Sequence, residues 1–217
     1  MPNWCSNTLT VAGDKEELKK FKELSLLKDE DGRDNFTLAG TFPEPDYETT
    51  PVAQTYPQIS ASFTKTEEQK AIILENKPTI RKDSWWDWRV QNWGTKWDVG
   101  YANIYIDEDT EIQLSFATAW SPPSEWLKHI FSDFPLLRFE LEYEEPGMMF
   151  GGVIDADEQG YHNHSYDLEC ASDCCKAETY WEDDEEFSLK EGEGEYQCSK
   201  CKEECETEYI NAMDIKK

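Results

Sequence analysis

Basic residues are scarce in this sequence. Its 217 residues hold 21 Lys and Arg against 47 Asp and Glu, a formal net charge of −26. Nucleic-acid binding driven by global attraction is excluded, because neutralising phosphates needs clustered Lys and Arg. Long apolar runs are missing too: nothing approaches the roughly 18 residues that a membrane span needs. The opening Met1-Pro2-Asn3-Trp4-Cys5 has neither the basic stretch nor the apolar core of a signal peptide, so a cytoplasmic protein is expected. There is no nucleophile elbow, no phosphate-cradling glycine loop and no HExxH pair. Paired carboxylates carry no signal in a chain with 47 of them, and Glu182 to Glu186 is a solvated charge run. What is abundant is aromatic: 13% of the residues, nine of them Trp, which argues against a wholly disordered acidic chain.

Cysteine divides the chain. Cys5 stands alone, and the other six lie between Cys170 and Cys205. In an exported chain they would form a disulfide framework. Without an export signal, thiolates are expected, and thiolates clustered in pairs bind zinc in a tetrahedron. Cys198-Ser199-Lys200-Cys201 has the spacing that presents two sulfurs to one ion, and Cys170 with Cys174 is the looser first pair. The expected ligands are Cys170, Cys174, Cys198 and Cys201, with Cys175 and Cys205 as alternates. His162 and His164 offer a second ligand set of two thiolates and two imidazoles. Charge divides the chain at about the same place: residues 151–217 hold 20 acidic and 6 basic side chains, with few large apolar ones. A segment of that kind folds when a metal ion staples it. Residues 156–217 are therefore expected to form an acidic, zinc-ribbon-like module around structural zinc; a disordered acidic tail is the competing expectation.

The first 155 residues show regular periodicity. Asn7 to Val11 alternates as a strand, and Gly13 ends it. Asp14 with Glu17 three residues later is a capping-box pattern for a helix over 15–25, with Leu18, Phe21 and Leu24 at helical spacing. Residues 28–98 form a long insertion, with a turn over 29–32 and a short surface helix over 65–75. Asn103 to Asp107 and Glu111 to Ala119 read as a hairpin. Ser124 caps a helix carrying Trp126, Ile130 and Phe134, which Pro135 stops. Arg138 to Tyr143 and Met149 to Ile154 are further strands. The order β-α-β-β-α-β predicts an α+β, ferredoxin-like split βαβ domain. Its core face takes Leu9, Val11, Ile104, Ile106, Leu114, Phe116, Phe139 and Leu141.

The strands are framed by Trp-centred words: Met1-Pro2-Asn3-Trp4-Cys5-Ser6-Asn7, then Asn92-Trp93-Gly94-Thr95-Lys96-Trp97-Asp98, then Thr118-Ala119-Trp120-Ser121-Pro122-Pro123, with Phe150-Gly151-Gly152 after the turn at Glu144 to Gly147. Over residues 1–155 the chain resembles the YubB ferredoxin-like family. That resemblance implies a ferredoxin-like domain of a phage- or plasmid-type protein, residing in the host cytoplasm if phage-encoded, and it implies no established biochemical function.

Trp85 to Trp97 holds five tryptophans in 13 residues. They form either a stacking platform or a lid that closes the core under the insertion, the more economical reading. Trp93, Lys96, Asp98 and Trp120 are the candidate binding residues. A Lys96–Asp98 pair and an Arg89–indole stack are the two contacts expected of them. The composite expectation is a non-enzymatic accessory protein that binds another protein. An acidic mimic that occupies a host protein's nucleic-acid-binding surface is one alternative. An enzyme with a site around Trp93 to Asp98 and Trp120 is another, and a nucleic-acid binder using the sheet face is the last.

Overall fold

The structure is a computed structural model that describes residues 3–28, 32–53, 78–172, 179–183, 194–198 and 207–211, with the backbone alone at 34 and from 169 onward. Contacts group these residues into two units. One comprises Met1–Tyr143 with Val153–Asn163, the other Glu144–Gly152 with His164–Lys217.

In the first unit β1 (Trp4–Gly13) leads into α1 (Lys15–Ser25). Asp14 caps the helix, its carboxylate accepting from the N–H groups of Glu16 (3.0 Å) and Glu17 (3.1 Å). The reciprocal half of the capping box is absent. Glu17 instead accepts from the Leu136 N–H (2.9 Å), and the Asp14 N–H donates to the Leu136 carbonyl (3.1 Å). The cap thus ties the helix start to the chain entering the last core strand. A short hairpin of β2 (Leu26–Lys28) and β3 (Asp34–Phe36) follows, and then α2 (Trp85–Asn92). The hairpin of β4 (Asn103–Asp107) and β5 (Glu111–Ala119) has the bounds expected from alternation. Helix α3 (Ser124–Ile130) continues as a 3-10 turn over Phe131–Asp133 before β6 (Leu137–Glu145), and β7 (Phe150–Asp157) follows. Ser124 is the first helical residue rather than the cap; Pro123 occupies that position.

The central order β6-β1-β5-β4 is the split βαβ arrangement. β1 and β5 pair antiparallel with Leu9 opposite Leu114 and Trp4 opposite Ala119. Their buried positions alternate: Cys5, Asn7, Leu9 and Val11 face Ile112, Leu114 and Phe116 across the pair. Phe21 of α1 meets Phe139 of β6 edge-on at 5.6 Å. Six of the eight expected core residues are buried; Ile104 and Ile106 are only half-buried, because β4 is the edge strand of this unit. The segment between α1 and β4 adds Phe36, Leu38, Val52 and Trp93 to the same core. Leu24, at helical spacing, is 46% exposed. The short helix expected over 65–75 and the turn residues 29–31 lie outside the described residues.

Residue 155, where composition divides the chain, lies inside β7. β8 (Gly160–Ser172), a strand not foreseen from the sequence, runs past His162 and His164 to Cys170. In the second unit β8 pairs antiparallel with β11 (Thr207–Asn211), placing Cys170 opposite Tyr209. β9 (Thr179–Asp183) pairs with β10 (Gly194–Cys198), placing Thr179 opposite Cys198. Cys174, Cys175, Cys201 and Cys205 lie outside the described residues. Among the described residues no group of three or more His, Cys, Asp or Glu is arranged to hold a metal ion, and no helix is long and apolar enough to cross a membrane.

Candidate functional site

The tryptophan-rich stretch folds as α2. Its apolar side chains keep no helical stripe because two sides of the helix meet apolar partners. One side joins the core. Trp88 meets the Trp93 indole edge-on at 5.5 Å and packs against Phe42 at 5.5 Å. Trp93 is fully buried, and its Nε1–H donates to the Phe42 carbonyl (3.0 Å). Arg89 lies over the Trp85 and Trp93 rings, at 5.3 and 5.2 Å, so the expected stack forms. Its guanidinium also pairs with the Glu44 carboxylate, Nε to Oε1 at 2.9 Å. Glu44 in turn accepts from the Tyr47 hydroxyl. Burial, and then the Glu44 carboxylate, push the Tyr47 phenol above its usual range.

The other side opens a cleft of about 400 Å³. Trp85, Trp86 and Trp120 supply indole walls, Lys96 and Arg81 the cations, and Asp83 and Asp87 the carboxylates. Asp87 is 4% exposed and accepts from Arg81 Nη2 at 2.5 Å. Such a buried pair is costly to break, because removing one partner strands the other's charge. Arg81 Nε is buried without a hydrogen bond, its approach to Asp83 being 3.4 Å.

Trp120 closes the cleft in an uncommon conformation. Its φ is +69°, in the left-handed region that a bulky side chain occupies at a cost of about 1–3 kcal/mol. Several bonds hold it there. Its N–H donates to the Asn3 carbonyl (2.9 Å), Thr118 Oγ1 donates to the Ser121 carbonyl (2.7 Å), and Ser121 Oγ donates to the Gly94 carbonyl (2.5 Å). Thr95 Oγ1 donates to the Ala119 carbonyl (3.1 Å). The result is an indole left 42% exposed instead of folded into the core. Gly94, at φ +84°, passes so near the start of α3 that an added Cβ would sit 3.1–3.2 Å from the Pro122 carbonyl and the N–H nitrogens of Ser124 and Glu125.

Lys96 Nζ sits 4.6 Å from the Trp97 ring centroid and 5.0 Å from that of Trp120. Trp97 continues outward to Trp4, with centroids 6.0 Å apart and Trp4 51% exposed. The expected Lys96–Asp98 pair does not form. Asp98 turns to the segment after β3, accepting from Thr37 Oγ1 (2.7 Å), the Leu38 N–H (2.7 Å) and the Ala39 N–H (3.4 Å), and also from its own neighbour Val99 N–H (2.8 Å). Of the four candidates, Lys96 and Trp120 meet at the cleft, whereas Trp93 and Asp98 are structural supports behind it. The sequence reading missed Trp85, Trp86, Arg81 and Asp87 as cleft residues. Only the crowding of tryptophans pointed toward the first two.

Residues 93–210 match the family model described as the ferredoxin-like domain in Api92-like protein. The chain belongs to this Api92-like family. The Trp-centred words had suggested a ferredoxin-like family under the YubB name; the family shown is the Api92-like one, and its match runs on past residue 155 to 210. The chain is also similar to the crystal structure of a protein Api92 from Yersinia pseudotuberculosis, at 11% identity and a TM-score of 0.46, over 77% of this chain and 98% of that one. No curated protein matches.

Proposed function

We propose that the chain is a non-enzymatic accessory protein that binds another protein, and that the indole-walled cleft is the centre of that contact. The observation that carries this reading is Trp120, a large aromatic held exposed at the cleft in a strained backbone conformation by hydrogen bonds within its own turn and with two other segments, at Asn3 and at Gly94–Thr95. Strain of this kind clusters at binding sites, and Trp and Arg are enriched among the residues that dominate interface energetics. The outward residues of the sheet favour a protein over a nucleic acid as partner. Those of β1 and β5 include one indole, Trp4, and one carboxylate, Glu111, but no cation to hold a phosphate, and on β6 Arg138 is already paired with Glu140 (3.0 Å) and Asp155 (2.8 Å). The Trp-centred words further support placing the chain beside YubB-type accessory proteins.

A photo-crosslinking residue at Trp86 is expected to trap one discrete partner in the producing cell. The same residue at Tyr105, 65% exposed on the edge strand, should not trap it. Trp120→Ala should abolish the Trp86 adduct. Equal trapping at both positions, or an adduct indifferent to Trp120→Ala, would end the reading.

The proposal includes a structural zinc ion within residues 156–217, held by Cys170, Cys174, Cys198 and Cys201, on the strength of their spacing. Elemental analysis of protein purified without chelator is expected to give about one zinc per chain, and chelation to unfold that segment. Six freely reacting thiols and no metal would refute it.

A further inference from the structure

The cleft has a charge arrangement that selects its occupant. Its two carboxylates both turn to Arg81: Asp87 is consumed by the 2.5 Å pair, and Asp83 Oδ1 lies 3.4 Å from Arg81 Nε. Lys96 is different. Its ammonium is held by two indole faces, and no carboxylate of the described residues lies within ion-pair distance. In a chain of net charge −26 an ammonium whose contacts among the described residues are two ring faces is an unusual surface. Cation–π contact orients such a group without neutralising it. The indoles of Trp85, Trp86 and Trp120 around it supply flat apolar walls for a ring.

We infer that the cleft takes a partner segment offering a carboxylate beside an aromatic side chain, the carboxylate pairing with Lys96 Nζ and the ring entering between the indoles. This rests on the protein-binding reading above and names its chemistry. The negative charge of the whole chain does not oppose it at contact range. At physiological salt, charges beyond about 8 Å are screened, so the nearest group decides. A basic segment would be drawn by the overall field, yet in the cleft it would meet two cations, and the buried carboxylate there, Asp87, already serves Arg81, which leaves only the solvent-screened Asp83.

The test uses the full chain, labelled with 15N, and three probe peptides: acetyl-Gly-Phe-Glu-Gly-amide and its counterparts with Gln or Lys in place of Glu. The indole N–H resonances are followed, with that of Trp120 assigned through Trp120→Phe. The Glu peptide is expected to shift the Trp120 signal and to bind about fivefold more tightly than the Gln peptide, the ratio of a partly exposed ion pair. Lys96→Gln should equalise the two peptides, and Lys96→Arg should restore the preference; both variants should leave the remaining indole signals dispersed. The inference is overturned if the Lys peptide binds best, if the Glu preference survives Lys96→Gln, or if no peptide moves the Trp120 signal at millimolar concentration. If it is overturned while the Trp86 crosslink still forms, the chemistry assigned to the partner is wrong and the protein-binding reading stands. If the crosslink also fails, both fall.

Discussion

Trp93→Ala is expected to lower the unfolding free energy of the first unit by about 3–5 kcal/mol, and Trp120→Ala to change it by less than about 1 kcal/mol. The two tryptophans belong to similar sequence words but stand in opposite environments. Trp93 is fully buried against Trp88, carries the Arg89 guanidinium at 5.2 Å and donates to the Phe42 carbonyl. Truncation there removes a large apolar volume from a packed core, leaves a cavity and strands an acceptor. Trp120 is 42% exposed and sits at positive φ. Removing its indole forfeits one ring face on Lys96 but opens no cavity. Urea unfolding measures the difference as a shift in midpoint at constant slope. Trp93→Phe should fall between the two, since it keeps a ring and loses the N–H. Equal midpoints for the two alanine variants would mean that Trp93 is no part of the core. The functional ordering runs the other way, with the Trp86 crosslink lost in Trp120→Ala while that variant stays folded.

How much of this was legible depends on the range over which each feature is determined. The hairpin Asn103–Asp107 with Glu111–Ala119 was readable to the residue, because alternation and a three-residue acidic turn are local properties. The first helix was readable for the same reason, and the Asp14 cap with it. The other half of the capping box was not, because Glu17 found a better donor in the Leu136 N–H, 119 residues away. β8 escaped notice because His162, Asn163, His164, Ser165 and Asp167 break any apolar alternation along it. Helix α2 escaped because a helix with apolar contacts on two sides shows no stripe. The cleft itself was half visible. Trp120 and Lys96 were singled out by the Trp-centred words, but the positive φ that exposes Trp120 depends on bonds to the Asn3 and Gly94 carbonyls and from the Thr95 hydroxyl, and nothing near Trp120 in the chain announces them. Arg81 and Asp87 were invisible among 68 charged residues, because only burial distinguishes them.

Asp98→Ala is expected to cost about 2–4 kcal/mol, more than a half-buried carboxylate ordinarily contributes, because of how many donors it serves. One side chain accepts from the Thr37 hydroxyl and from the N–H groups of Leu38, Ala39 and Val99. Alanine leaves all four without their acceptor, and water can reach only part of the site. The damage extends along the chain. The segment tied down by Asp98 leads into Thr41, whose Oγ1 accepts from the buried Trp126 indole (2.9 Å), and Phe42, whose carbonyl accepts from Trp93. It also passes Gly40, where an added Cβ would lie 1.8 Å from the Leu24 carbonyl oxygen, so the backbone there has no room to relax toward α1. Asp98→Asn should recover about half of the loss. The amide keeps one oxygen but turns an N–H₂ toward N–H groups, and two donors facing each other repel. Hydrogen exchange adds a second measure: the Leu38 and Val99 amides should lose protection in Asp98→Ala well before those of Leu9 and Leu114 in the central strands. Uniform loss across all four would mean that Asp98 supports the sheet as a whole. Loss confined to Leu38 and Val99 would make Asp98 the clasp that holds residues 37–42 against the tryptophans, and with them the rear wall of the cleft.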